Sequence, residues 1–290
     1  MDEDLSKNTR KTGTVSGAPP EGVASSCTDW RRASAPFALL KRRPYDLGQP
    51  YYPGMPHYPT HPPFLYSLTK KHGDILYGDG TTSAADAIAL GTHVGTHIDA
   101  LSHFSCNGVC FGGRKVEQTY EHGMTELGVD TVAPIVRRGV LLDIAGLEGV
   151  DALAADFEIT AEHLSGAATG VDIGAGDVVL LRTGWARYFS DAKRYINNVV
   201  APGPGLEAAQ WLSERKIFAA GADTVAFERV PNPAMPVHVH LLVESGIHII
   251  EVLNLEELAR ERVYEFLFVA APMNIRGATG APVRPLAFAI

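Results

Sequence analysis

Apolar residues in this chain gather in short runs punctuated by turn-forming residues. The runs Ala87–Asp99, Gly139–Ile144, Asp177–Arg182, Ile217–Ala220, Ile247–Leu253 and Tyr264–Ala271 are rich in Val, Ile, Leu or Phe. Runs of that composition, bounded by turns, predict buried strands. Helical signals lie between them: Thr160–Ser165 with Thr160 placed to cap, Gly205–Arg215, and Val237–Ser245 stopped by Gly246. Strands and helices alternate loosely through the second half, which predicts an α/β fold with a mixed sheet. No internal repeat is visible.

Two segments break this pattern. Residues 1–35 are rich in Ser, Thr, Gly and charge and read as a flexible tail, leaving 36–290 as a single domain. Tyr45–Phe64 is crowded with Pro, Tyr and His, so it cannot be a helix and reads as an ordered loop. Its aromatic rings suit either the wall of a pocket for a flat substrate or simple packing on the core.

Composition narrows the class of partner. At 290 residues and 46% hydrophobic the chain can bury a large core, and its net charge of −8 offers no basic footprint for nucleic acid or anionic membranes. No apolar run reaches the length of a membrane span, and the acidic N-terminus lacks a secretory pattern, so the expected compartment is the cytoplasm. Cys27, Cys106 and Cys110 form no disulfide framework; Asn107-Gly108-Val109 between the last two reads as a turn, and the thiols as ordinary buried or loop groups.

The richest chemistry lies at His93–Phe104, which holds three histidines and an aspartate. If this stretch is a strand, alternation puts His93, Gly95, His97 and Asp99 on one face, and Val94, Thr96 and Ile98 on the other. Two imidazoles and a carboxylate around a glycine make a cradle for a divalent cation, with positions left open for water. Such a cation makes hydroxide available near neutral pH, and His103, where the strand ends, is placed to carry a proton. Farther on, Glu251 falls in an apolar strand, a costly place for a lone carboxylate unless a cation, a histidine or an arginine pairs with it. His238 and His240 would diverge by about 200° on a helix, so one of them faces such a site; the residues alone leave open which.

The stretch HVGTHIDALSHF is similar to the signature His-x-Gly-Thr-His-x-Asp-x-Pro-x-His of the cyclase/kynurenine formamidase family of metal-dependent hydrolases, which includes isatin hydrolase. The resemblance extends through YDLGQPYYPGMPHYPTHPP, GVLLD, DVVLLRTGW, Gly221–Thr224, PVHVHLLVESGIHIIEVLNLEEL and APMNIRGATGAPVRP, in matching order. It implies a swivelling β/β/α domain with a barrel-like mixed sheet flanked by helices, assembled as a homodimer or homotetramer. It also implies that His93, His97 and Asp99 bind one metal, that Asp99 bridges to a second, and that His238 and Glu251 complete that second site. His238 is preferred to His240 for its interval to Gly246 and Glu251, and His103 matches the family's acid/base histidine. Leu101 stands where the signature has proline, which frees the turn carrying His103.

The expected function is therefore a metal-dependent hydrolase using Zn2+ or Mn2+, as one or two ions. It would cleave a C–N bond of a small amide, formamide or lactam through metal-bound hydroxide, in the manner of arylformamidases and isatin hydrolase. A lactonase, a cyclase or dehydratase of natural-product metabolism, and a non-catalytic metal-dependent binding protein are the alternatives. Asp143 and Asp223 read as caps or second-layer carboxylates, and His57, His61, His72, His122 and His163 as structural or solvent-facing. Gly277–Gly280 lacks the strand–turn–helix setting of a phosphate loop, and no Gly-x-Ser-x-Gly elbow is present.

Overall fold

The computed structural model describes residues 43–290; the tail expected over residues 1–35, with Cys27 in it, and the domain start at residue 36 lie outside them. Nine strands form the principal sheet: β1 (Tyr45–Asp46), β2 (His97–Asp99), β3 (Ile135–Asp143), β4 (Val178–Arg182), β5 (Ala219–Ala222), β6 (His248–Glu251), β7 (Glu265–Ala270), β8 (Gly280–Pro282) and β9 (Leu286–Ala289). Their order across the sheet is β1-β9-β7-β3-β4-β5-β6-β2-β8, curled into a half-barrel. The central strands β3, β4, β5 and β6 run parallel, and every pairing outside them is antiparallel. The sheet is thus mixed, as the alternation of runs and helices predicts.

The central strands are continuous apolar runs because both of their faces are covered. Val179 and Leu181 point to one face with Val140, Leu142, Ala220 and Ile249, and pack beneath the helices. Val178 and Leu180 point to the other with Leu141, Ala219, Ile98, Ile250, Phe266 and Phe268. The helical cover comes from α1 (Ala161–Ala167), α2 (Leu206–Glu214) and α3, which starts at Pro236–His238 and continues π-helically over Val239–Ser245. Leu164, Ala208, Leu212, Val237 and Leu241 are their buried contacts. At α1 the His163 ring accepts the Thr160 backbone N–H at 3.0 Å, which closes the expected cap.

One expected strand is divided. Residues 87–99 do not form a single extended segment. Ala85–Ala89 pairs with Leu65–Lys70 in a separate hairpin, and β2 begins only at His97. Between them Gly95 takes φ +67°, a left-handed conformation that no continuous strand accommodates. The Pro- and Tyr-rich segment after β1 is an ordered loop whose Met55 and Phe64 pack with Val94, Trp185 and Phe189. Among the described residues no helix is long and apolar enough to cross a membrane.

Close packing around β3 leaves little room. Gly139 lies opposite Phe266 in the β3–β7 register, and a Cβ at Gly139 would overlap the Phe266 ring, which is itself wholly buried. We expect Gly139→Ala to destabilise the fold by about 1–3 kcal/mol through overpacking, and a second change, Phe266→Leu, to restore part of the loss. Urea denaturation reads both effects; an unchanged midpoint for Gly139→Ala would contradict the close approach.

Candidate metal centre

The centre starts with two short strands in antiparallel register. Ile98 pairs with Ile250, and both enter the core face, so His97 and Asp99 on β2 and Glu251 on β6 are turned to the opposite side. Glu251 stands directly across from His97, with 3.3 Å between its Oε2 and His97 Nε2. The His97 Nδ1–H donates to the Gly95 carbonyl at 2.8 Å, which leaves Nε2 aimed inward. Thr96 ties this strand to its surroundings: its hydroxyl donates to the Val252 carbonyl at 2.6 Å and accepts the Gln49 N–H at 2.8 Å. The Tyr51 hydroxyl donates to the Thr96 carbonyl at 2.8 Å.

His93 reaches the same place by a different route from strand alternation. It sits in the turn before β2, and the left-handed Gly95 folds it back so that Nδ1 meets Asp99 Oδ1 at 2.6 Å. Tyr51 fills the space a side chain at Gly95 would need. The other His93 nitrogen bonds the Thr279 hydroxyl at 2.9 Å, and Gly280 leaves room for the ring. The Gly277–Gly280 run, excluded as a phosphate loop, thus supplies a ring anchor that its composition does not reveal.

The later half comes from α3 and β6. His238 is buried, with Nδ1 at 2.6 Å from Glu228 Oε2 and Nε2 at 3.2 Å from Glu251 Oε1. His240 turns away to Glu244 and Ser213, at 2.7 and 2.8 Å. The structure therefore brings His238, and not His240, to Glu251. Glu228 is not among the sequence candidates: with Arg229 beside it the pair reads as surface charge, and the structure buries Glu228 while Arg229 turns out to Glu158.

His103 stacks on His93 with ring centres 3.8 Å apart, and its ring makes no hydrogen bond among the described residues. The turn that carries it closes without a proline, through the His103 N–H to the Ala100 carbonyl at 2.9 Å, while Leu101 packs on the helical-side core. Phe104 lies against both His103 and His238, at 4.9 and 4.8 Å between ring centres. On the far side His61 faces His93 at 5.4 Å. Of the two roles expected for His61, structural or solvent-facing, the structural one holds: it bonds the His93 carbonyl at 3.2 Å and forms part of the wall of the site.

Burial alone would raise the Asp99 carboxyl, but the surrounding histidines hold it well below the usual carboxylate range. Burial also opposes ionisation of Glu251, yet His238 and His97 bring it down to about 2. Burial lowers His238, and the hydrogen bonds to Glu228 and Glu251 reverse that and carry it up to about 10. His103 has no such partner, and burial pushes it down to about 3.

Two groups of ligating atoms arise, His93–Asp99–His103 and His97–Asp99–Glu251, each within 4.8 Å, and they share Asp99. Asp99 Oδ2 is buried with no hydrogen-bond partner. A buried carboxylate oxygen left unpaired is costly, and a cation among imidazole and carboxylate donors satisfies it. The residues present therefore fit a divalent metal.

The remaining candidates lie elsewhere. Asp143 caps Ile144–Leu147 and pairs with Arg182 at 2.8 Å, and Asp223 accepts the Thr183 and Gly184 N–H groups at 2.9 Å. His57, His72 and His163 bond Tyr58, Thr82 and Thr160, and His122 is exposed. Cys106 and Cys110 are free and flank a tight turn in which Asn107 and Gly108 both have positive φ.

Fold and site together define an α/β half-barrel with a buried histidine–carboxylate centre. The chain belongs to the cyclase family: the family model described as "Putative cyclase" matches residues 45–229. It is 27% identical to the isatin hydrolase of Roseibium aggregatum over 72% of this chain and 76% of that protein. It is 28% identical to the kynurenine formamidase of Bacillus thuringiensis subsp. konkukian over 68% and 76%. Among solved structures, a novel cyclase superposes with a TM-score of 0.80 at 28% identity, covering 88% of this chain and 89% of that one. A predicted metal-dependent hydrolase from Bacillus stearothermophilus gives 0.58 at 26% identity, over 86% and 98%.

The electrostatics set a pH dependence for the metal-free protein. Folding raises His238 from its ordinary 6.5 to about 10, so its contribution to stability is complete below about 6.5 and is lost as pH rises through 10. His103 is shifted downward and acts only on the acid side, so the alkaline limb belongs to His238 and the likewise raised His97. We expect the urea midpoint of metal-free protein to fall between about pH 7 and about pH 9.5, and His238→Gln to flatten that slope. Equal slopes in the two proteins would rule out this origin.

Proposed function

We propose that this protein is a divalent-metal-dependent hydrolase that cleaves a C–N bond of a small amide, formamide or lactam. The observation that carries the reading is Asp99, wholly buried, shared by two ligand groups, and left with one oxygen unpaired. His93, His97 and Asp99 would hold one ion, and His238 and Glu251 would complete a second site joined to it through Asp99. The two geometric groups share Asp99 but set His103 with His93 and Glu251 with His97, and His238 reaches them through Glu251. Zn2+ and Mn2+ both suit such a donor set. The likeness to an isatin hydrolase and a kynurenine formamidase supports hydrolysis of an amide-type bond.

When bound, the metal supplies Lewis acidity at the carbonyl and lowers the pKa of water. The chain's own residues do the rest. His103 is neutral, and with no hydrogen bond to its ring among the described residues its one unprotonated nitrogen is open to relay a proton to the departing nitrogen. Phe104 and His61 present flat, half-buried faces that orient a planar acyl group and keep bulk water from the centre. The exposed apolar residues Leu65, Tyr66, Leu68 and Ile88 on the Leu65–Lys70 and Ala85–Ala89 hairpin support a homo-oligomer as the working form.

Asp99→Ala should lose metal and turnover together, read by elemental analysis and by a panel of N-formyl aromatics, isatin-like lactams and lactones. Full turnover in a metal-free Asp99→Ala protein would end the proposal. His103→Gln should keep its metal and lose activity by about a hundred- to ten-thousand-fold. Release of the metal by that variant would make His103 a ligand instead. Light scattering should give a dimer or tetramer, and a monomer would remove that part of the reading.

A further inference from the structure

Glu228 lies outside both groups of ligating atoms, yet it approaches His238 more closely than Glu251 does. It is wholly buried, and its Oε2 accepts two hydrogen bonds from that one residue: the His238 backbone N–H at 3.1 Å and Nδ1–H at 2.6 Å. Its Oε1 is buried without a partner. Among the described residues no arginine or lysine is paired with it, and its one ion-pair partner there is His238.

The next residue back grips the other half of the pair. The Phe227 N–H donates to Glu251 Oε1 at 2.6 Å. Two consecutive residues thus hold His238 and Glu251, which come from different elements and meet each other at 3.2 Å. The segment itself is firmly seated. The Thr224 hydroxyl donates to the Ala226 carbonyl at 2.7 Å, and Gly203 packs so tightly on the Phe227–Arg229 backbone that a Cβ there would overlap it.

We infer that Glu228 is a positioning residue, which keeps a proton on Nδ1 of His238 and so aims Nε2 at Glu251 and the metal. A partner on the remote nitrogen sets which nitrogen is left for a ligand bond and fixes the ring plane. The inference rests on the metal-dependent reading above. It differs from a purely structural role, because removing a structural carboxylate lowers stability without changing which His238 nitrogen is protected.

The test uses the full chain with 15N-labelled histidine, with and without Zn2+. The wild type should show a protected Nδ1–H resonance for His238, assigned by its loss in His238→Gln. Glu228→Gln should lose that protection and weaken Zn2+ binding by about 10- to 100-fold, with kcat/KM recovering as Zn2+ is raised. Glu228→Asp, which keeps a carboxylate, should recover part of both. A folded Glu228→Gln protein with wild-type Zn2+ affinity and an unchanged ring signal overturns the inference. If Glu228→Gln fails to fold, the wild-type signal decides: a protected Nδ1–H supports the inference and a freely exchanging one overturns it. A wild-type chain that binds no Zn2+ counts against the metal-dependent reading, and the ring signal then still decides the role of Glu228.

Discussion

β2 meets β6 in a register that sets His97 beside Glu251 and Ile98 beside Ile250, and almost everything else in the site is committed by that choice. Side chains alternate across a strand, so a slip of β2 by one residue would send Ile98 into the centre and His97 and Asp99 into the apolar core. The cost of burying unpaired charge makes that alternative prohibitive. Register and chemistry therefore enforce each other: the core holds Ile98 and Ile250, and the centre holds the groups between them.

The two halves of the site have different architectural origins. His93, His97 and Asp99 come from one turn and one three-residue strand, close in sequence and braced by Thr279, just ahead of the neighbouring strand β8. His238 and Glu251 come from a helix start and a strand, and they are braced by the Phe227–Glu228 segment. Asp99 is the group at which the halves meet. A cation held there would link side chains from elements far apart in sequence, which the β2–β6 pairing already sets side by side.

Much of the fold was legible because the central strands are buried on both faces, which leaves unbroken runs such as Val178–Leu181 in the sequence. The edge strands Gly280–Pro282 and Tyr45–Asp46 carry no such run and escaped notice. The stretch before His97 was misread as strand, because alternation gives the right partners for His93 by coincidence while a left-handed Gly95 does the folding. His238 could not be separated from His240 by helical spacing alone; the difference lies in what each meets, Glu228 in one case and Glu244 in the other. Thr279 and His61 were invisible for a simpler reason. Their roles consist of contacts with His93 made across 186 and 32 residues of chain, and local pattern holds no record of those.

Thr96 offers a last consequence. Its hydroxyl and carbonyl join Gln49, Tyr51 and Val252, so the Pro- and Tyr-rich loop is bolted to the strand that carries His97 and Asp99. That loop is consequently a fixed wall and not a door. Lifting it would break the two hydrogen bonds from Gln49 and Tyr51 to Thr96 and pull Tyr51 from beneath Gly95, disturbing the centre it borders.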